Sequence, residues 1–296
     1  MKCHIRLLLC VTMLCALPLQ AELEVRFVDA TGLQHNPNNQ YFIHLLQESL
    51  EVTREQFGDY QLLPVDVVIS QQRQIKELEK GTFDVFWTMT TPGREQDALP
   101  VKVPLSKGSY GIRVLVVNKA ELATMQKLNN FNALDGFVAL TGEDWPDTAT
   151  LRFNRIAVKT EVNDATLYPL LRRSKGHYFP RGLFEADAEL SSMVANDLAI
   201  LPQLILRYPA EMQFFVAKHN TALAERLTTG LLMLQKSGRF DQLFYQFPQH
   251  AEALQRLNLK RAKVLDLKSP FMVSEQDREL IKAEQDELLS KLGVQQ

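Results

Sequence analysis

The stretch Gly81-Thr-Phe-Asp-Val-Phe-Trp-Thr-Met-Thr-Thr-Pro-Gly-Arg94 decides the fold class of this chain. Phe83 to Met89 is a short apolar, aromatic-rich run entered from a glycine, which favours a buried strand over a helix of the same length. Thr91 then offers an N-cap hydroxyl and Pro92 the preset φ of a first helical residue, so a helix is expected to begin there. Its opening turn leaves backbone N–H groups free and carries the positive end of the dipole, and Arg94 adds a planar five-donor fork at the same place. The segment reads as an anion trap, with Trp87, Thr88 and Thr91 beside Arg94 at the strand end. Taken alone, Arg94 is equally well a surface residue paired with Glu95 or Asp97, because exposed pairs are common and contribute little.

Upstream, Leu23–Val28 reads as a strand, followed by a polar loop, His35-Asn-Pro-Asn-Asn-Gln40. A helix from about Tyr41 to Gln56 places Phe42, Leu45, Leu46 and Leu50 at helical spacing. Pro64–Ser70 is expected as a β-branched strand and Gln71–Lys80 as a helix closed by Gly81. The order β-α-β-α-β implies a parallel sheet covered by helices, with ligands beyond the carboxyl ends of the strands. Downstream, Tyr110–Asn118 starts a second α/β unit, which continues through the strand Gly136–Leu140 and helices around Asp147–Phe153 and Ala165–Ser174. The strand His177–Phe179 then runs into Pro180-Arg181-Gly182 and a helix from about Phe184 to Val194. Glu211–Ala217 is strand-like and Asn220–Ser237 a helix ended by Gly238. The rest is helical apart from Lys263–Phe271. Two lobes, residues 22–111 and 112–215, with a return to the first at 216–296, give two hinge crossings near Ser109–Leu115 and Met212–Lys218 and a cleft between them.

Lys2 and Arg6 precede an apolar run from Leu7 to Leu17 that ends at Pro18-Leu-Gln-Ala21, the pattern of a secretory leader cleaved after Ala21. The run is shorter than the roughly 20 residues a membrane span needs. Cys3, Cys10 and Cys15 all lie in the leader, so the remaining chain is expected to hold no disulfide, thiolate metal site or cysteine nucleophile. Loss of the leader shortens 296 residues to 275, two lobes by the prior of about 150 residues per domain. It also takes Lys+Arg from 33 to 31 against 35 Asp+Glu, a net charge of −4 without the basic surplus of a nucleic-acid binder. His35, His44, His177, His219 and His250 lack metal-ligand spacing, and neither a phosphate loop nor a dinucleotide fingerprint is present, so no cofactor or metal is expected.

The run from Ile75 to Val85, the Met-Thr-Thr-Pro-Gly-Arg that ends at Arg94, and Pro100-Val-Lys-Val-Pro104 together resemble the amino-acid-type (family 3) periplasmic solute-binding proteins. Asn220-Thr-Ala-Leu-Ala-Glu-Arg226 and Phe240-Asp-Gln-Leu-Phe244 resemble the closing helices of that family. The resemblance extends over nearly the whole mature chain. Glu143-Asp-Trp-Pro-Asp147 and Tyr178-Phe-Pro-Arg-Gly182, followed by Glu185, are similar to a divergent subgroup. The resemblance implies a two-lobed α/β periplasmic-binding-protein fold of type II, monomeric, with a small solute in the cleft.

Position by position, the resemblance assigns Arg94 to the ligand's α-carboxylate and Thr141-Gly142-Glu143 to the second-lobe turn that helps bind it. Glu143 and Asp144 there replace small hydroxyl residues and would repel an anion. The acid that receives an α-ammonium falls near Gly182, which has no side chain and stands beside Arg181; Glu185 is the local substitute. Trp87 stands where a small residue is usual. These departures point away from an ordinary zwitterionic amino acid and toward an anionic or carboxylate-bearing solute. Tyr41, Trp145 and Tyr178 complete the candidate cleft residues, each with a packing role as the alternative. The expected function is periplasmic solute binding by lobe closure, with a membrane transporter or a sensor protein as partner. The alternatives are a ligand-sensing partner of a membrane signalling protein, or an enzyme on the same fold, dehydratase-like or lytic, with Glu185 and His177 as the acid–base candidates.

Overall fold

The computed structural model describes residues 22–29, 39–67, 69–128, 130–193, 197–271 and 274–295. The leader expected at 1–21 and most of the loop expected from His35 lie outside the described residues. The chain begins with β1 (Leu23–Val28), α1 (Asn39–Glu51), β2 (Tyr60–Val65), α2 (Gln71–Glu79), β3 (Val85–Met89), α3 (Pro92–Asp97) and β4 (Leu99–Val101). Next come β5 (Ile112–Asn118), β6 (Val138–Gly142), α4 (Pro146–Phe153), β7 (Val158–Glu161), α5 (Leu167–Arg173), β8 (His177–Gly182), α6 (Leu183–Ser192) and β9 (Leu198–Arg207). The last part holds β10 (Met212–Val216), α7 (Thr221–Lys236), α8 (Arg239–Gln246), α9 (Pro248–Arg256), β11 (Lys263–Asp266) and α10 (Glu275–Lys291). Among the described residues no helix is long and apolar enough to cross a membrane.

Two sheets organise these elements, the first in the order β2-β1-β3-β10-β4 and the second in the order β11-β9-β5-β8-β6-β7. β3 is buried at every position, as a central strand covered on both faces must be. α1 buries Tyr41, Phe42, Leu45, Leu46 and Leu50 on one face, and its buried Ser49 main chain meets α7 at Gly230, where an added Cβ would lie 2.0 Å from the Ser49 carbonyl oxygen. The first sheet is mixed rather than parallel throughout. β1 runs parallel to β2 and β3, but β10 is antiparallel to both β3 and β4.

Several sequence expectations change. The second strand lies at Tyr60–Val65 rather than Pro64–Ser70, and Pro64 is accommodated because β2 is an edge strand whose one neighbour is β1. Ser70 instead caps α2, accepting from Arg73 N. β9 (Leu198–Arg207) was not expected, and it carries Pro202, a residue unusual in a strand with a neighbour on each side. The structure resolves the conflict with an irregularity. Val114 pairs with Ile205 and Val116 with Ile200, so residues 201–204 bulge away from β5 and Pro202 needs no ladder hydrogen bond there.

The lobe boundaries shift as well. Met212–Val216 pairs in the first sheet, so the second lobe gives way before 215. Lys263–Asp266, expected in a return to the first lobe, runs parallel to β9 in the second sheet. The chain therefore crosses between sheets a third time, after α9, beyond the two crossings at 102–111 and 208–211.

Candidate functional site

A cleft of about 440 Å³ lies between the two sheets. Trp87, Thr88 and Met89 at the end of β3 and Ser70 and Gln71 at the start of α2 form its first-lobe wall. Asp144 and Trp145 after β6, Val162-Asn163-Asp164 after β7, and Arg181 at the end of β8 form the opposite wall. These are the carboxyl ends of strands, where an open α/β sheet leaves side chains and backbone dipoles free for a ligand.

α3 begins as the sequence implies, with Pro92 in its first turn and Thr91 Oγ1 accepting from Arg94 N at 3.3 Å. The Arg94 side chain, however, is buried and engaged. Its Nη1 donates to Thr88 Oγ1 at 2.5 Å and to the Met89 carbonyl at 2.9 Å. Its Nη2 donates to Gln71 Oε1 at 2.8 Å and, across the cleft, to the Asp144 carbonyl at 3.3 Å. Burial lowers its pKa to about 10, partly opposed by Asp144 and Asp147, so it remains charged at neutral pH. Glu95, its expected surface partner, accepts from Thr90 Oγ1 instead. With Thr91, Glu143 and Phe271, Arg94 lines a neighbouring hollow of about 310 Å³ rather than the main cleft.

The Asp144 carboxylate reaches over to the first lobe and accepts from the backbone N–H of Gln72 at 3.1 Å, at the start of α2. One second-lobe residue thus meets both groups of the first lobe that are suited to an anion.

The second-lobe wall is a network of compensated charges. Arg113 of β5 holds Asp147 through Nη2 at 2.6 Å and Glu185 through Nη1 at 3.2 Å, while its Nε donates to the Tyr208 hydroxyl at 2.9 Å. Tyr208 in turn donates to Asp147. Burial opposes the charge on Arg113, but Asp147, Tyr208 and Glu185 outweigh it and raise its pKa. Arg181 contacts Glu185 at 3.2 Å and Glu189 at 2.5 Å, with its guanidinium 4.9 Å from the centre of the Trp145 ring. Glu185 also accepts from Gly182 N at 3.0 Å, so it is fully committed to its own lobe. Of the ionisable groups lining the cleft, Asp144, Asp147, Asp164 and Glu185 face only Arg113 and Arg181. This acidic surplus favours cations, against the anionic solute expected from Arg94.

The remaining expected residues divide. Trp87 lines the cleft, stacked on Phe42 at 5.8 Å with Nε1 donating to Asn39 Oδ1 at 3.4 Å. Tyr41 does not reach it: its hydroxyl donates to the Leu105 carbonyl at 2.8 Å, and its ring packs against Phe244, Phe247 and His250. Tyr178 is wholly buried in the second-lobe core, its hydroxyl without a partner, because β8 alternates faces and turns the neighbouring residue inward. His177 is half-exposed beside the Lys175 carbonyl while Glu185 is held by two arginines, so the acid–base pair is not assembled. Sequence reasoning missed Gln71, Arg113, Asp147 and Tyr208. A single arginine inside the apolar run Ile112-Arg-Val-Leu-Val-Val117 was the signal, since a buried guanidinium requires buried acids nearby.

No family model matches the chain, and no curated protein sequence matches it. Solved structures do. A Salmonella typhimurium periplasmic binding protein of high arginine specificity is 15% identical with a TM-score of 0.56, over 76% of this chain and 98% of that one. The periplasmic VFT2 domain of Bordetella pertussis BvgS is 18% identical with a TM-score of 0.53, over 76% and 92%. The substrate-binding protein of an amino acid ABC transporter is 17% identical with a TM-score of 0.51, over 71% and 87%. The chain has the two-lobed fold of periplasmic binding proteins.

Proposed function

We propose that this chain is a solute-binding protein of the amino-acid-type periplasmic family, whose two lobes enclose a small molecule. The observation that carries this reading is the 440 Å³ cleft with walls from both sheets, bridged by Arg94 to the Asp144 carbonyl and by Gln72 N to the Asp144 carboxylate. Such bridges form only when the lobes are close, and they are few enough to be exchanged for water when the lobes part. The secretory leader read at residues 1–21 and the periplasmic setting of the similar proteins support a periplasmic location. Delivery to a membrane transporter is the role the likeness to a transporter's binding protein supports. Sensing is the second reading, favoured by the likeness to the BvgS domain.

The test is a thermal-shift screen of the purified chain against a small-metabolite library, followed by small-angle scattering with and without each hit. Stabilisation that grows with ligand concentration, about 2.7 kcal/mol at 100 times the dissociation constant, is the expected result. A library that includes cations, anions and zwitterions and stabilises nothing sinks the binding reading. A verified ligand that leaves the radius of gyration unchanged removes the closing motion.

A further inference from the structure

Resting on the solute-binding reading of the same cleft, we propose that its ligand is a small organic cation, an alkyl-ammonium or alkyl-guanidinium compound without a carboxylate. An α-carboxylate entering this cleft needs hydrogen-bond donors, and the donors suited to it are in use. Arg94 spends its Nη groups on Thr88, Met89, Gln71 and the Asp144 carbonyl. The free amide at the start of α2, Gln72 N, is taken by the Asp144 carboxylate. In the second lobe Arg113 is held by Asp147 and Glu185, and Arg181 by Glu185 and Glu189. A ligand carboxylate would have to displace an acid of the protein itself from one of these arginines, leaving that acid buried without a partner, which is strongly unfavourable.

A cation meets the opposite situation. Asp164 stands exposed on the cleft wall, and Asp144 carries its charge at the meeting point of the two lobes. One neutral group on the wall also lacks a donor. Gln74 lines the cleft with Nε2 donating to the Ile69 carbonyl, which leaves its Oε1 buried without a donor. Trp87 and Tyr110 add aromatic surface, whose negative faces attract cations. The cleft thus offers acceptors, negative charge and rings, while every guanidinium is already covered.

Matched pairs of compounds that differ by one carboxylate test this directly. Agmatine against arginine and cadaverine against lysine, with glutarate as a carboxylate-only control, are titrated into the full chain by thermal shift and calorimetry. The decarboxylated member of at least one pair is expected to bind about 10-fold or more tighter than its amino acid, with glutarate inactive. Asp144→Asn and Asp164→Asn are each expected to weaken that cation's binding by about 3-fold to 10-fold, with circular dichroism unchanged. Arginine or lysine binding as tightly as its decarboxylated partner, or glutarate binding best, overturns the cation assignment while leaving solute binding intact. Absence of binding by all five compounds overturns the assignment; if the broader metabolite library is also inactive, solute binding falls with it.

Discussion

The junction between the lobes has two sides built from different materials. On the cleft side the lobes touch through hydrogen bonds at Asp144, one from Arg94 and one from Gln72 N, beside the 440 Å³ cleft. On the far side Tyr41 of the first lobe and Phe184 of the second pack against Phe244 and His250 of the C-terminal helices, with the Phe184 and His250 rings stacked at 4.1 Å. There Arg256 also pairs with Asp187 at 2.6 Å, and buried Gln285 of α10 donates to the Gly108 and Tyr208 carbonyls, one on each hinge crossing. The polar side can be exchanged for water at little cost, whereas the aromatic side cannot. The axis of any opening motion therefore lies on the aromatic side, and the C-terminal helices form part of the joint.

The largest expected effect that tests this contrast is Phe244→Ala. Phe244 is fully buried among rings from both lobes, and its truncation is expected to cost about 3–5 kcal/mol in urea denaturation. A cost below about 1 kcal/mol would mean that the rings are not a shared joint.

His250 sharpens the same side through pH. Burial lowers its pKa to about 4, opposed by the hydrogen bond of its Nδ1–H to the Phe244 carbonyl at 2.9 Å. The unfolded chain, with an ordinary value near 6.5, binds this proton more readily than the folded chain, so the stabilisation is present above about pH 6.5 and lost as pH falls toward 4. The loss amounts to about 3 kcal/mol, and His250→Gln is expected to remove most of that slope from denaturation curves measured across the window. An unchanged slope in the variant assigns the acid sensitivity elsewhere.

On the cleft side the effects are smaller and of another kind. Arg94→Ala is expected to cost about 1–3 kcal/mol, because Gln71, Thr88 and the Met89 carbonyl lose their donor, and also to open the lobes. Asp144→Ala is the mildest, about 1 kcal/mol or less. Its signature is a larger radius of gyration in scattering without ligand. A radius unchanged in both variants would show that the aromatic side alone sets the closure.

How much of this was legible in the sequence follows from the range of each interaction. The cap at Thr91, the helix start at Pro92 and the buried strand before them are local, and each stands where the residues placed it. Trp87, Thr88, Trp145, Arg181 and Glu185 were selected and do line the cleft. Tyr41 and Tyr178 were selected and do not, because an aromatic residue near a strand or helix end packs or stacks according to neighbours that are distant in sequence. β9 went unread, and its Pro202 is tolerated because the missing N–H matters only if the strand opposite demands it. The partners of Arg113 lie 34, 72 and 95 residues further along the chain, beyond the reach of any motif.

By itself the sequence determined the alternation of strands and helices, the two α/β halves and the position of Arg94 at a strand-to-helix turn, since spacing, caps and turn residues act over a few positions. Tertiary structure alone decided where Lys263–Asp266 pairs, that the C-terminal helices close the joint, and that Asp144 answers Arg94. The sign of the cleft's charge belongs to the second group. It is a sum over charged side chains from four separate segments, and only folding sets which of them face the same space and which arginines are already neutralised when they arrive.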